Sequence, residues 1–410
     1  MRINVKYFLG QSFRKNVSFM FVVYWAVLVL WQNVSGAQAR SSVDTVIKLG
    51  LLAYFVSFFL QHSRMVSSKL LMVMLLALSL LLTAVGEQQF SFGNLISYIY
   101  PIIFLSMVYG LGDKFEINRE QLISFCNCVI VITLYAAVYA LVFCQDQFSN
   151  LSSLNSAYGN ELTSFFISNH EYALYLAAAI ISCVLCMRLN PHLTRKQRWG
   201  YIIVMMILIP NFILTYSRTT LAGLLLFLLT FTLLGNGKIR KIIIISAVVF
   251  LCACIVFPGM RDFIFRIVLK ENAMSGRDVL FARAIDYYQD SSLFNQLFGS
   301  GIYAPRYFFE SKYDHGSVHN AYLQVLLYYG AAGLTFLLVF LMTQVYACWR
   351  FLKKERFLGS VHLGLVVMAS MMMFTNTTIV FTSPIDSFFL TIFMFIIPKY
   401  VRNAKNNDRY

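Results

Sequence analysis

The chain has 410 residues, of which 59% are hydrophobic and only 12% are charged. A water-soluble domain of this size could not bury so much apolar surface, so the composition excludes an ordinary globular protein. The formal net charge of +15 would suit a nucleic-acid-binding protein, but the Lys and Arg residues lie in short clusters between apolar runs, where they are typical of membrane topology signals.

Long apolar runs predict an all-α fold, a polytopic membrane helix bundle. The runs are continuous rather than alternating, and backbone polar groups in a bilayer must be paired within their own segment, which favours helices over strands. About twelve runs have the roughly 17–25 residues that a transmembrane helix needs. They are residues 17–35, 46–61, 69–85, 93–111, 123–144, 166–187, 199–215, 219–235, 239–257, 319–345, 358–377 and 383–399.

The basic residues predict which side of the membrane each connection faces. Clusters of Lys and Arg precede the first span and follow the even-numbered spans, so we expect both termini to be cytoplasmic. Residues 145–164, after the fifth span, contain no Lys or Arg and are therefore predicted to lie outside. The N-terminal apolar run has no small-residue cleavage site, so we interpret it as a retained first helix.

The longest polar segment is residues 258–318, between predicted spans nine and ten. It carries seven basic and seven acidic residues, and a loop of this length can cross the membrane regardless of its charge. Apolar spacing predicts a helix over 278–289, and Phe298-Gly299-Ser300-Gly301 predicts a turn. We expect a folded, partly helical cap on the outer surface. The predicted parts are spans one to nine (1–257), this loop (258–318), and spans ten to twelve with a cytoplasmic tail (319–410).

Four polar patches are predicted at the outer ends of spans. Placing ionisable groups at the edge of the hydrocarbon costs free energy, so such groups are functional candidates. The patches are residues 168–171, 215–220, 319–320 and 376–378.

Arg218 and His319 are the two side chains in these patches with the clearest chemistry. The Arg218 guanidinium can bind phosphate oxygens in bidentate fashion, although an arginine that anchors a helix at the interface is an equal alternative. His319 is predicted to begin a helix and to share one face with Leu323 and Gly330, which would hold the imidazole as a general base. Gly330 and Gly333 would allow close contact between helices.

Three short motifs occur in a characteristic order along the chain. They are Tyr216-Ser217-Arg218-Thr219-Thr220-Leu221-Ala222, then Ser275-Gly276-Arg277 leading into Phe298-Gly299-Ser300-Gly301, then His319-Asn320-Ala321-Tyr322-Leu323 with Gly330. In these motifs and in its topology the chain resembles the bacterial O-antigen ligase and polysaccharide polymerase superfamily. The motifs cover roughly residues 168–333. The resemblance implies a GT-C-like membrane glycosyltransferase that uses glycans on undecaprenyl diphosphate at the outer face of the inner membrane.

The resemblance also implies roles for individual residues. Arg218 and a loop arginine, best matched by Arg277 with Arg283 as the alternative, would bind the diphosphate. His319 would activate the acceptor hydroxyl. Arginines can neutralise the departing diphosphate without a metal, and the sequence has no Asp-x-Asp motif or His/Cys cluster, so no metal or cofactor is predicted. The residues that would line the site are Asn320, Tyr216, His170 and Glu171.

The implied partners are an undecaprenyl-diphosphate-linked oligosaccharide, an acceptor glycan or lipid A-core, and membrane lipid, with no nucleic acid. A flippase and a chain-length regulator are candidate protein partners. The residues do not separate a repeat-unit polymerase from a ligase that transfers the finished chain to lipid A-core; polymerases are more numerous and diverse, which favours a polymerase. A polysaccharide transporter or flippase is the alternative from another class, although transporter sites usually lie near the bilayer midplane.

Overall fold

The computed structural model describes residues 119–145, 147, 161–166, 168–190, 193–235, 241, 277–313, 316–375, 397 and 400. Within these residues it contains nine α-helices and no strand. The helices are α1 (Arg119–Phe143), α2 (Asn169–Leu189), α3 (Arg195–Leu214), α4 (Arg218–Leu234), α5 (Arg277–Gln289), α6 (Leu293–Phe298), α7 (Tyr303–Tyr313), α8 (Ala321–Leu352) and α9 (Arg356–Thr375). Five of them, α1, α2, α3, α8 and α9, are long and apolar enough to cross a membrane.

The prediction of an all-α membrane protein is confirmed for this part of the chain. The predicted spans at 123–144, 166–187, 199–215, 219–235, 319–345 and 358–377 correspond to α1, α2, α3, α4, α8 and α9. The predicted loop helix and the turn at Phe298–Gly301 are also present. The other six predicted spans lie outside the described residues, apart from isolated positions. The number of twelve spans and the side on which the loop lies stay predictions.

The chain divides into two compact units, and the boundary falls within α4. The first unit contains α1–α3 and the start of α4 as far as Thr220. The second unit contains α4 from Leu221 onwards together with α5–α9.

Helix α2 is the centre of the first unit. It is rich in Ala and Leu, and most of its residues are buried because it packs against both α1 and α3. Phe166, just before the helix, stacks on Tyr172 with ring centroids 5.3 Å apart. The Tyr172 hydroxyl donates to Asn211 Oδ1 of α3 over 3.0 Å. Aromatic packing and this buried hydrogen bond therefore fix the N-terminal end of α2 against the C-terminal end of α3.

Helix α8, in the second unit, is interrupted at Gly330. Gly330 has φ 66° and ψ −168°, a backbone region that is essentially confined to glycine. The loop turn that follows α6 is docked at this break, where the backbone N–H groups of Ser300 and Gly301 donate to the carbonyls of Leu327 and Tyr328 over 2.9 and 3.2 Å.

The docked turn leaves no room for side chains at two glycines. A Cβ on Gly299 would lie 2.2 Å from the Tyr328 carbonyl oxygen, and one on Gly330 would lie 2.4 Å from the Leu297 carbonyl. Backbone therefore meets backbone directly, and the loop is attached to α8 at this point.

Helix α9 packs between α4 and α8 within the second unit. It approaches α4 closely at Gly364, where a Cβ would lie 2.7 Å from the Phe227 ring. On the other side, the Tyr322 hydroxyl near the start of α8 donates to the Ser370 carbonyl near the end of α9 over 3.1 Å. The N-terminal end of α8 therefore lies against the C-terminal part of α9.

Candidate functional site

The turn between α3 and α4 carries the predicted phosphate-binding arginine. The Thr215 N–H donates to the Asn211 carbonyl at the end of α3 over 3.2 Å, and Tyr216 adopts a left-handed φ of 51°. The side chain of Asn169 in α2 donates to the Thr215 carbonyl over 2.9 Å. These contacts end α3 and hold the turn against α2, so that Arg218 becomes the first residue of α4.

A short chain of hydrogen bonds connects His170 to this turn. The His170 Nδ1 and Ser217 Oγ atoms are 2.7 Å apart, and Ser217 Oγ is 2.9 Å from Thr220 Oγ1. Ser217 and Thr220 are both buried. Both residues belong to the predicted patch at 215–220, although no role was predicted for either of them. The two patches at 168–171 and 215–220 therefore come together in the first unit.

Ser168 explains how His170 and Glu171 are placed. It is the N-cap of α2, and its hydroxyl accepts a hydrogen bond from the Glu171 N–H over 3.2 Å, as N-cap serines commonly do. His170 and Glu171 thus lie in the first turn of α2, and both side chains are partly buried. Through Ser217, His170 is hydrogen-bonded to the turn at residues 215–218, which we call the arginine turn.

The predicted patch at residues 319–320 lies at the start of α8. Asn320 is the N-cap, and its Oδ1 accepts from the Leu323 N–H over 3.1 Å. His319 stands just before the cap with a left-handed φ of 52°, and its N–H donates to Ser317 Oγ over 3.4 Å. The prediction that His319 begins the helix and shares a face with Leu323 and Gly330 is wrong. His319 lies before the helix, and Gly330 is where the helix breaks.

The arginine turn and the His319-Asn320 pair each contain a non-glycine residue with left-handed backbone. Among the described residues, the non-glycine residues with a positive φ are Ser164, Tyr216 and His319. Such conformations cost free energy and are enriched at functional sites. Tyr216 and His319 each stand two positions before the first residue of an apolar helix, so the backbone turns sharply just before each candidate site enters its helix.

The structure distinguishes the two loop arginines. Arg277 begins α5, is partly buried, and donates from Nη1 to the Thr375 carbonyl at the end of α9 over 2.5 Å. Because Tyr322 contacts Ser370 nearby, Arg277 and the His319-Asn320 pair lie at the same end of the α8–α9 pair. Arg283 is exposed and lies 3.4 Å from Asp286 in a surface ion pair, an interaction that usually contributes little.

Another arginine of the loop, Arg306, forms an ion pair with Glu310. The Arg306 guanidinium donates to Glu310 over 2.9 Å, and this hydrogen bond raises the pKa of Arg306 above its ordinary value.

No cluster of three or more His, Cys, Asp or Glu residues that could hold a metal occurs among the described residues. The fourth predicted patch, residues 376–378, lies outside them.

Comparison with known proteins finds a match to one protein-family model and no match to a curated protein. A protein-family model described as O-Antigen ligase matches residues 203–338. The matched segment contains the arginine turn, the docked loop turn and the His319-Asn320 pair, and it gives no support to the transporter alternative. The match confirms the resemblance seen in the motifs: residues 203–338 are similar to the O-antigen ligase family, which is consistent with the O-antigen ligase and polysaccharide polymerase superfamily.

Proposed function

We propose that this protein is a surface polysaccharide polymerase. It would transfer an undecaprenyl-diphosphate-linked glycan to a hydroxyl of an acceptor glycan at the outer face of the bacterial inner membrane. The family match implies a membrane glycosyltransferase-like enzyme with a ligase or polymerase role and a lipid-linked glycan substrate. The described helices fit a multi-pass membrane protein.

A single observation carries the proposal. The family-matched segment contains an arginine turn and a histidine, each set in sharply turned backbone at the start of an apolar helix. An arginine and a histidine are the two groups that transfer from a lipid diphosphate needs, one for the leaving group and one for the nucleophile.

Arg218 would bind the diphosphate. Its guanidinium keeps its positive charge and can donate two parallel hydrogen bonds to phosphate oxygens. Because Arg218 is the first residue of α4, the N-terminal end of that helix adds a partial positive charge at the same place. The partly buried Ser217–His170 hydrogen bond would keep the turn from moving when charge develops on the leaving group.

Arg277 is the preferred second arginine. Its hydrogen bond to Thr375 holds the guanidinium near the start of α8, whereas Arg283 points to solvent and is paired with Asp286. The same bond also caps the last turn of α9, which is a structural role for Arg277. The two roles are compatible, because a guanidinium has five N–H donors.

His319 would act as the general base. In the proposed step the acceptor oxygen forms a bond to the anomeric carbon, and its proton passes to the His319 imidazole. The bond between the anomeric carbon and the diphosphate oxygen breaks, and its electron pair leaves with the diphosphate, where the arginines stabilise the charge. Attack from the side opposite the leaving group predicts inversion at that carbon, which linkage analysis of the product would test.

A ligase is the second candidate, because the matched family model carries that description. Deletion of the gene, followed by separation of surface glycans by size, distinguishes the two. A polymerase deletion would leave glycans of a single repeat unit, and the wild-type gene would restore long chains. Long polymer that stays on the lipid carrier would show a ligase, and loss of all outward-facing intermediates would show a flippase.

A further inference from the structure

A pocket of about 420 Å³ lies where α4 ends, α8 ends and α9 begins. All of its described lining residues belong to the second unit, and the pocket is separate from the start of α8, where His319 lies. One wall is apolar and the other is cationic. The lining residues are Leu233, Leu234, Gly235, Trp349, Leu352, Lys353 and Arg356.

The cationic wall comes from the short connection between α8 and α9. Lys353 is the C-cap of α8, and its Nζ lies 5.4 Å from the centroid of the Trp349 ring, close enough for a cation–π contact. Arg356 is the first residue of α9. The one carboxylate of this connection, Glu355, does not line the pocket. The described lining residues therefore carry two positive charges and no negative charge.

The apolar wall is formed by side chains that also face outward. Leu233 and Trp349 are 65% and 63% exposed, which suits side chains at the level of lipid chains and headgroups, where Trp is enriched. A soluble anion would gain nothing from such a wall, whereas a lipid acyl chain would bury apolar surface against it.

We infer that this pocket is a binding site for an anionic phospholipid of the cytoplasmic leaflet. The phosphate group binds Lys353 and Arg356, and an acyl chain lies along Leu233 and Trp349. The basic connection at 350–356 is predicted to face the cytoplasm, where anionic lipids attract basic residues beside membrane helices. The inference does not depend on the proposed enzymatic function.

The test is titration of purified full-length protein with phosphatidylglycerol, with native mass spectrometry as the readout of the first bound lipid. Removal of both charges in Lys353→Gln/Arg356→Gln is expected to weaken the Kd roughly 30-fold, since each basic residue near a lipid surface contributes a few-fold to tenfold. The steric variant Leu233→Trp keeps the charges but fills the pocket, and it is expected to weaken binding several-fold.

The matched control is Arg350→Gln/Lys354→Gln, which removes the same charge from the same basic segment, residues 350–356, but alters none of the described lining residues. It is expected to bind phosphatidylglycerol as the wild type does. An equal loss in both double variants would overturn the site, because it would show general electrostatic attraction. Equally tight binding of phosphatidylcholine with the same acyl chains, or displacement of the lipid by inorganic pyrophosphate, would also overturn the assignment.

Discussion

Replacement of Gly330 by alanine tests whether the docked loop turn holds the break in α8. Gly330 has a φ of 66°, and a Cβ there would lie 2.4 Å from the Leu297 carbonyl. The turn must therefore move away, which breaks the bonds from Ser300 and Gly301 to α8. Backbone strain of roughly 2 kcal/mol and two hydrogen bonds of roughly 1 kcal/mol each give a destabilisation of about 4 kcal/mol.

The assay is thermal unfolding of purified full-length protein, together with the rate of protease cleavage within residues 293–301. We expect Gly330→Ala to unfold at a lower temperature and to be cleaved faster in this segment, because the turn is no longer docked. The matched control is Gly200→Ala in α3, where the new Cβ meets no neighbouring atom within 4 Å and helix propensity improves by about 1 kcal/mol. Identical unfolding and cleavage of the two variants would refute the reasoning.

Four further predictions concern the rate of glycan transfer from the lipid-linked donor, measured at matched expression. His319→Ala should be at least about 100-fold slower, since it lacks the base; undiminished product would remove His319 from this role. Arg218→Lys should lose about tenfold or more, because lysine cannot form the bidentate contact, and full activity would contradict that contact. Arg277→Lys should be impaired while Arg283→Gln stays within about twofold of wild type; the opposite ranking would transfer the role to Arg283. His170→Ala should lose about fivefold through one hydrogen bond to the arginine turn, and wild-type activity would show that this bond does not position Arg218.

The fold of the described residues could be predicted because membrane helices depend on a local property, the continuous apolar run. The predicted span 358–377 corresponds to α9 at Arg356–Thr375, and the predicted loop helix 278–289 corresponds to α5 at Arg277–Gln289. Both boundaries are within a few residues, since charged side chains mark the ends of each run.

The candidate site was harder to predict because its contacts join residues far apart in sequence. His170 and Ser217 are 47 positions apart, and no local pattern indicates that they form a hydrogen bond. The left-handed φ at Tyr216 and His319 is also hidden in the sequence, since an aromatic residue gives no signal of the kind that glycine gives. Charge and polarity could identify the patches but not their internal geometry.

Gly330 was correctly predicted to be a site of close packing, but the structure gives a different physical reason for it. The glycine was expected to allow two helices to approach, but it permits contact with the loop backbone at Leu297 and Phe298. The loop turn and Gly330 therefore form one structural element, although they are about thirty residues apart. Because the first part of α8 lies between this break and the Asn320 cap, the docked turn also fixes the short helical segment that follows His319. The loop thus contributes to the candidate site through its backbone as well as through Arg277, and a variant that undocks the turn should impair transfer even with every candidate side chain intact.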